Sequence, residues 1–145
     1  MVSLKNKKGF TIVELLIVIV VIGILATLVI VTFTGIQQKG RDTQRKTDIN
    51  AVQSHVEAYY AQTGNYPTLG NLNDSTWRST NMKGLDPESL KDPKDTDANI
   101  AAATDATNYG YTVTPNGCDN TTTMCDAYVL TATLESGGTY TKQSN

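Results

Sequence analysis

The sequence is poor in the residues from which most catalytic sites are built. It contains one histidine, His55, two cysteines and one tryptophan. It has no phosphate-binding loop, no G-x-S-x-G nucleophile elbow and no group of histidines and cysteines at metal-ligand spacing. Because these common signatures are missing, we expect a protein that is not an enzyme.

Large apolar residues are scarce in the second part of the chain. Only 13 Leu, Ile, Val or Phe residues occur from Thr34 to Asn145, so this part should form one small core that needs outside support. By contrast, 19 of the 57 apolar residues fall between Phe10 and Phe33. A length of 145 residues fits one ordinary domain, here preceded by an apolar stem.

Charge is divided in the same way. The net charge is −2, yet residues 1–46 carry seven basic and two acidic side chains, whereas residues 47–145 carry five and twelve. The first part is therefore +5 and the second −7. An acidic head repels phosphates, so direct binding of nucleic acid to it is disfavoured.

The apolar stem is long enough to cross a membrane. No residue between Leu15 and Gln38 is charged, and a helix of about 20 residues spans the roughly 30 Å of a bilayer core. A buried core helix is disfavoured because too few other apolar residues could surround it. A cleaved secretory signal is disfavoured because the run is too long and no A-x-A site follows it. Basic residues flank both ends, so charge alone leaves the orientation open.

An acidic residue, Glu14, stands near the start of the apolar stretch, where a lone carboxylate costs a few kcal/mol and marks a candidate functional site. It belongs to the run Lys7-Lys8-Gly9-Phe10-Thr11-Ile12-Val13-Glu14-Leu15-Leu16. This run resembles the class III signal of type IV pilins and type II secretion pseudopilins. In that family a membrane-embedded prepilin peptidase cuts after the glycine at the cytoplasmic face, and the new N-terminal residue is methylated.

The resemblance implies cleavage between Gly9 and Phe10 and N-methylation of Phe10. It implies a precursor in the cytoplasmic membrane with its N-terminus inside and its head outside, and an extracellular or periplasmic filament after assembly. In that filament Glu14 of one subunit would pair with the Phe10 amine of its neighbour. Val31 stands where many type IV pilins have proline, so a proline-driven break of the stem is not implied.

Beyond the stem, Ile49, Val52 and Val56 recur at three- and four-residue steps and predict an amphipathic helix that ends near residue 62. The Gly64-Asn65-Tyr66-Pro67 run that follows also resembles the family, above all its major pseudopilins. The expected class is α+β and pilin-like, with a long N-terminal helix, its first half in the membrane, packed on a small antiparallel β-sheet.

The predicted divisions are a leader at 1–9, the membrane half of the stem at 10–33, its soluble half at 34–62 and a head at 63–145. Within the head we expect a loop at 63–108 and a sheet at 109–142. The expected short helices are Pro87–Lys91 and Asp97–Ala103, and the expected strands are Tyr109–Pro115, Asp126–Glu135 and Thr139–Lys142.

Cys118 and Cys125 fall in the loop between the first two predicted strands. Because the head lies outside the membrane under the resemblance, a disulfide is allowed, and closing this loop would stabilise the head by about 2.5 kcal/mol on the chain-entropy model. Free thiols are one alternative. A metal site is another, although two thiols are too few ligands.

Two charged groups leave alternatives open. Asp92, Asp95 and Asp97 form by default a solvated acidic loop; the alternative is a structural calcium site, such as major pseudopilins often hold, although the spacing is not that of an EF-hand. No other cofactor is expected. A basic collar, formed by Lys39, Arg41, Arg45 and Lys46, is interpreted as a solvated helix face or as a contact with lipid phosphates or with Asp42 and Asp48 of neighbouring subunits.

The sequence thus predicts a structural subunit of a type IV pilus-like filament that serves adhesion, twitching motility or DNA uptake. The alternative is the major pseudopilin of a type II secretion system that drives protein export, and a single-pass membrane-anchored binding module is a distant third. The expected partners are further copies of the chain, prepilin peptidase, an inner-membrane assembly platform with its motor ATPase, and the lipid bilayer.

Overall fold

The structure is a computed structural model that describes residues 9–144, so the predicted leader lies outside it except for Gly9. The elements, in chain order, are α1 Ile12–Thr63, α2 Leu69–Asn73, α3 Ser75–Asn81, a 3-10 turn Pro87–Leu90, β1 Gly110–Thr114, β2 Ala127–Thr133 and β3 Thr139–Gln143. The strands form one antiparallel sheet in the order β1-β2-β3. A long N-terminal helix with a small antiparallel sheet confirms the predicted α+β class.

The chain divides into two units, the first ending at Gln37 and the second beginning at Gln38. Among the described residues, one helix is long and apolar enough to cross a membrane: α1 holds an 18-residue window of mean hydropathy 3.3, none of it buried. From Phe10 to Ile36 the large apolar side chains are about half exposed or more. Such a surface needs lipid or other helices around it.

The few polar side chains of the first unit bond to their own helix. The hydroxyls of Thr27 and Thr32 donate to carbonyl oxygens one turn earlier at 2.8 and 2.9 Å, and Thr34 donates to the carbonyl of Val31 at 2.9 Å. Hydroxyls satisfied in this way can enter hydrocarbon at little cost. The helix also runs through Val31 without a break.

The core of the second unit lies between α1 and the sheet. Ile49, Val52 and Val56 are fully buried, which confirms that this stripe of α1 packs inward. The opposite side of the core comes from the inner face of the sheet, where Tyr128 and Leu130 alternate along β2 with less buried residues. Period-two burial of this kind is typical of a sheet with one buried face.

The segment between α1 and the sheet is more ordered than the predicted loop. Thr68 caps α2 through a capping box with Asn71, and the Asp74 carboxylate accepts the first backbone N–H groups of α3 at 2.8 and 3.1 Å. These helices are too short to show apolar periodicity, but their cap residues can be recognised in the sequence. The predicted turn near Pro87–Lys91 is confirmed.

The helix predicted at Asp97–Ala103 is wrong. In its place the chain runs alongside β1, where Ala101 forms an isolated parallel bridge with Gly110. A Cβ added at Gly110 would lie 2.5 Å from the backbone nitrogen of Thr104, so the close approach of this segment requires glycine there.

Candidate processing and assembly site

The predicted cleavage motif lies just before α1. Gly9 is exposed and Phe10 is 86% exposed. A Cβ added at Gly9 would meet no atom of the described residues within 4 Å. The described residues therefore leave room for a side chain at position 9.

Glu14 belongs to a capping box that begins α1. Its Oε2 accepts hydrogen bonds from the Thr11 backbone N–H at 2.8 Å and from the Thr11 hydroxyl at 2.7 Å. In return the Glu14 backbone N–H donates to Thr11 Oγ1 at 3.2 Å. This arrangement satisfies backbone donors that the first turn leaves free, and it places a carboxylate at the positive end of the helix dipole. Sequence reasoning missed Thr11, although T-x-x-E is the signature of such a box.

The box holds Glu14 through one oxygen. Oε2 carries both bonds from Thr11, whereas Oε1 accepts none from the described residues. The capping box thus orients the Glu14 carboxylate. It leaves Oε1 able to accept a hydrogen bond from a cationic group of another molecule. Cleavage after Gly9 would create such a group, an amine on Phe10.

A second polar cluster lies in the head around Arg45, which is fully buried. Its guanidinium donates to both oxygens of Asp92, from Nε at 2.6 Å and from Nη2 at 2.9 Å. Nη1 donates to Asp42 Oδ1 and to Glu135 Oε1, each at 2.9 Å. One cation thus joins α1 to two segments that are far away in sequence.

Glu135 is the other centre of this cluster. Arg41 donates to its two oxygens at 2.6 and 2.7 Å, and Lys94 Nζ lies 3.0 Å from Oε2. The hydrogen bonds from Arg41 hold the pKa of Glu135 well below its usual value. Burial opposes ionisation of Asp42, but the backbone N–H groups of Glu135 and Ser136, together with Arg45, lower the pKa of Asp42 to about 2.

The interpretation of the basic collar is therefore wrong for Arg41 and Arg45, which bind carboxylates of their own head. Asp42 and Asp48, which one alternative paired with the collar of neighbouring subunits, are buried as well. The Asp48 carboxylate accepts a bond of 2.8 Å from the Tyr109 hydroxyl; burial raises the pKa of Asp48 despite that bond. Sequence reasoning missed the bonds to Asp92, Glu135 and Tyr109 because these partners lie 47 to 94 positions apart.

The acidic candidates for calcium are not assembled as ligands. Both oxygens of Asp92 are bound to Arg45, and Asp95 Oδ1 accepts backbone N–H groups from Thr96 and Asp97. Across residues 9–144, no three Asp, Glu, His or Cys side chains are grouped so that they could hold a metal ion. The cation beside Asp92 is a guanidinium.

Cys118 and Cys125 are joined by a disulfide, with their Cα atoms 5.3 Å apart. The loop that they close binds the segment that follows α1. The Cys125 carbonyl accepts the Tyr66 N–H at 2.9 Å, and the Asn120 side chain bridges the Tyr66 carbonyl and the Cys125 N–H at 2.7 and 2.9 Å. The disulfide loop therefore fastens the Tyr66-Pro67 segment, which the spacing of the cysteines did not indicate.

The similarity of this chain to known proteins includes the N-terminal site. Residues 4–30, which include the Gly9-Phe10 junction and the capping box, match the prokaryotic N-terminal methylation motif. Type II secretion system core protein G of Dickeya chrysanthemi is 34% identical over 64 residues, and that of Escherichia coli K12 is 35% identical over 63. Type IV major pilin protein PilA of Myxococcus xanthus is 31% identical over 66 residues. Through this part, the chain is similar to type II secretion core protein G and to a type IV major pilin protein.

The similarity to these proteins covers only part of each chain. The matches cover 44%, 43% and 46% of this chain, and 42%, 43% and 30% of the Dickeya, Escherichia and Myxococcus proteins. The chain thus spans less than half the length of the curated relatives that it matches. No solved structure matches it.

Proposed function

We propose that the protein is a structural subunit of a pseudopilus-type filament in a type II secretion system. The observation that carries the proposal is a methylation motif at residues 4–30 that opens an exposed apolar helix. From the sequence alone, a surface pilus is the first prediction. Several relatives are named type II secretion system core protein G, and these names favour the secretion filament.

The first step is processing. The peptidase cuts between Gly9 and Phe10, where both residues are exposed and where glycine lets catalytic groups approach the scissile carbonyl. The amine released on Phe10 is then methylated. Loss of residues 1–9 removes three lysines, so the mature chain has a net charge of −5.

The second step is assembly. The Phe10 amine of one subunit meets Glu14 of its neighbour, whose Oε1 is not used by the capping box. Each group is costly in lipid when alone, and in contact each satisfies the other. Association and axial position are thereby set by one ion pair, while the exposed apolar side chains of the first unit pack against neighbouring stems. The subunit acts by assembling, and no catalytic role is proposed.

Processing is tested with the full-length chain expressed together with prepilin peptidase. Mass spectrometry of the N-terminus should find Phe10 with one added methyl group, and Gly9→Val should leave the precursor uncut. Gly70→Val is the matched control, because Gly70 is exposed and its added Cβ would sit at an ordinary 3.7 Å from Thr68. An uncut wild-type chain would contradict the proposal.

A surface pilus is the second candidate, favoured by the likeness to the Myxococcus major pilin protein. Electron microscopy of cells at native expression, with and without the gene, separates the two. Long surface fibres that contain the subunit would favour the pilus. Loss of protein export without loss of surface fibres would favour the pseudopilus.

The partners proposed for either filament are further copies of the chain, prepilin peptidase, a membrane assembly platform with its motor ATPase, and the bilayer. The precursor is proposed to lie in the cytoplasmic membrane with its head outside. A protease added outside spheroplasts should therefore cut the head and leave the stem.

A further inference from the structure

A cleft in the head lies along α3 and the turn that follows it. Its volume of about 340 Å³ is within the range of small-ligand sites. Met82 and Leu85 contribute to a wall that is mostly apolar. The polar groups in the wall include Arg78, Ser79 and Lys83. We call this opening the Arg78 cleft.

Arg78 is a buried cation, only 8% exposed. Its Nη1 donates to the carbonyl of Leu72, close to the end of α2, a common role for a basic residue near a helix C-terminus. Among the described residues, the guanidinium makes no other hydrogen bond and no salt bridge. Within that part of the chain, no buried side-chain nitrogen lacks a hydrogen bond. Nε and Nη2 therefore reach solvent, and the Arg78 cleft is an opening that this side chain lines.

Nε and Nη2 are the two nitrogens with which the other arginines of the chain bind carboxylates. Arg41 donates from both to the two oxygens of Glu135. Arg45 donates from the same pair to the two oxygens of Asp92. The N–H groups of such a pair are parallel and match the two oxygens of a carboxylate. In Arg78 this pair has no acceptor within residues 9–144, although a buried cation without an anion is costly.

We propose that the Arg78 cleft binds a monocarboxylate with a short apolar body. The carboxylate accepts hydrogen bonds from Nε and Nη2 of Arg78, and the apolar body packs against Met82 and Leu85. Lys83 is exposed and attracts the anion from solvent. Inorganic phosphate fits less well, because it carries more charge and an apolar wall offers it too few donors.

This ligand chemistry has two sources, the C-terminal carboxylate of a polypeptide that ends in an apolar residue and a free aliphatic acid. Neither source requires that the subunit be cleaved or assembled. N-acetyl-leucine is the probe for a chain terminus, and hexanoate is the probe for a free acid. N-acetyl-leucinamide and hexanamide are the matched neutral controls.

The test is an NMR titration of the full-length subunit in detergent, labelled with ¹⁵N-arginine. The chain has three arginines, so the Nε–H signals of Arg41 and Arg45 are internal references. The Arg78 signal should shift on addition of a carboxylate probe, while the other two stay in place. Each acid should bind about tenfold or more tightly than its amide, because only the acid forms charge-assisted hydrogen bonds. The acid that binds more tightly identifies the source.

A pair of glutamate substitutions tests the position of the site. Ser79→Glu places a carboxylate in the cleft wall and should weaken binding about tenfold or more, because it competes for Arg78 and repels the ligand. Thr80→Glu is the matched control, since Thr80 is outside that wall. Both positions are exposed, and both hydroxyls donate to the Thr76 carbonyl. Thr80→Glu should change the affinity by less than about twofold, because charges outside the cleft are screened.

Protease resistance of the head shows that each variant has folded. An Arg78 signal that moves with neither acid would overturn the proposal. So would equal affinity for acid and amide, equal weakening by the two glutamate substitutions, or tighter binding of inorganic phosphate than of either acid.

Discussion

The two units of the chain satisfy their side chains in opposite ways. The head is self-sufficient: Arg45 is fully buried, and three carboxylates of the same head surround it. The stem has almost no internal partners, and its apolar side chains stay exposed. Among the described residues, Glu14 is bonded only to Thr11 of the capping box. The charges around Arg45 join separate segments of the head, whereas Glu14 of the stem has one oxygen without a partner among the described residues. Substitutions should therefore separate folding from assembly.

The largest expected effect is on assembly. Glu14→Ala should abolish filament formation while leaving the melting temperature of the head unchanged, because Glu14 touches nothing beyond Thr11 among the described residues. Filament yield and thermal melting of the detergent-solubilised subunit measure the two effects separately. By contrast, Glu57→Ala should lower the melting temperature of the head, because Glu57 accepts a hydrogen bond of 2.7 Å from Tyr128 in the head. A normal filament yield from Glu14→Ala would remove the assembly role.

The next effect is on folding. Arg45→Met should cost about 3–5 kcal/mol, because it leaves buried carboxylates without their cation. The neighbouring Lys46→Met removes an exposed charge and should change stability by only about 0.5 kcal/mol. Denaturant unfolding of the subunit in detergent measures both. Equal stability of the two variants would mean that the cluster is not a structural anchor.

A smaller loss is expected at the disulfide loop. Replacing Cys118 and Cys125 by serine should cost about 2.5 kcal/mol and should increase protease cutting near Tyr66, which the loop holds. Reduction of the wild type should reproduce the loss, and reduction of the double variant should add nothing. A further loss on reducing the double variant would show that another group is responsible.

Acid should change the stability of the head in opposite directions through two of its carboxylates. The pKa of Asp42 is lowered to about 2 from an ordinary 3.8, so its stabilising effect is present above pH 3.8 and is lost as the pH falls through 2. The pKa of Asp48 is raised, so its ionisation weakens the head as the pH rises above 3.8. Asp48→Asn should therefore be neutral or stabilising at pH 7, whereas Asp42→Asn should be destabilising. Melting curves between pH 2 and 7 test both signs.

The smallest expected effect concerns the capping box. Thr11→Val should weaken the first turn of α1 by about 1 kcal/mol, and Thr11→Ser should preserve it. Hydrogen exchange of the first-turn amides in detergent measures the difference. Unchanged exchange in Thr11→Val would show that Glu14 is held by something else.

What could be predicted from the sequence also differs between the stem and the head. The stem motif is local, so the cleavage junction, Glu14 and the apolar span could be recognised from ten to thirty consecutive residues. The strands were predicted because their alternation is local too. Arg45 is different, since its partners Asp92 and Glu135 lie 47 and 90 positions away. No short-range pattern indicates such a pair, and an arginine beside an apolar span is more easily taken for a surface residue.

The threonines of the stem have one more consequence for a filament. Because the hydroxyls of Thr27, Thr32 and Thr34 turn back to their own backbone, the stretch from Leu15 to Ile36 offers neighbours a lateral surface without a polar notch. In the proposed filament, this stretch therefore supplies no directional polar contact between neighbouring stems. The axial position of each subunit would then depend on polar groups outside it, above all the Glu14 carboxylate.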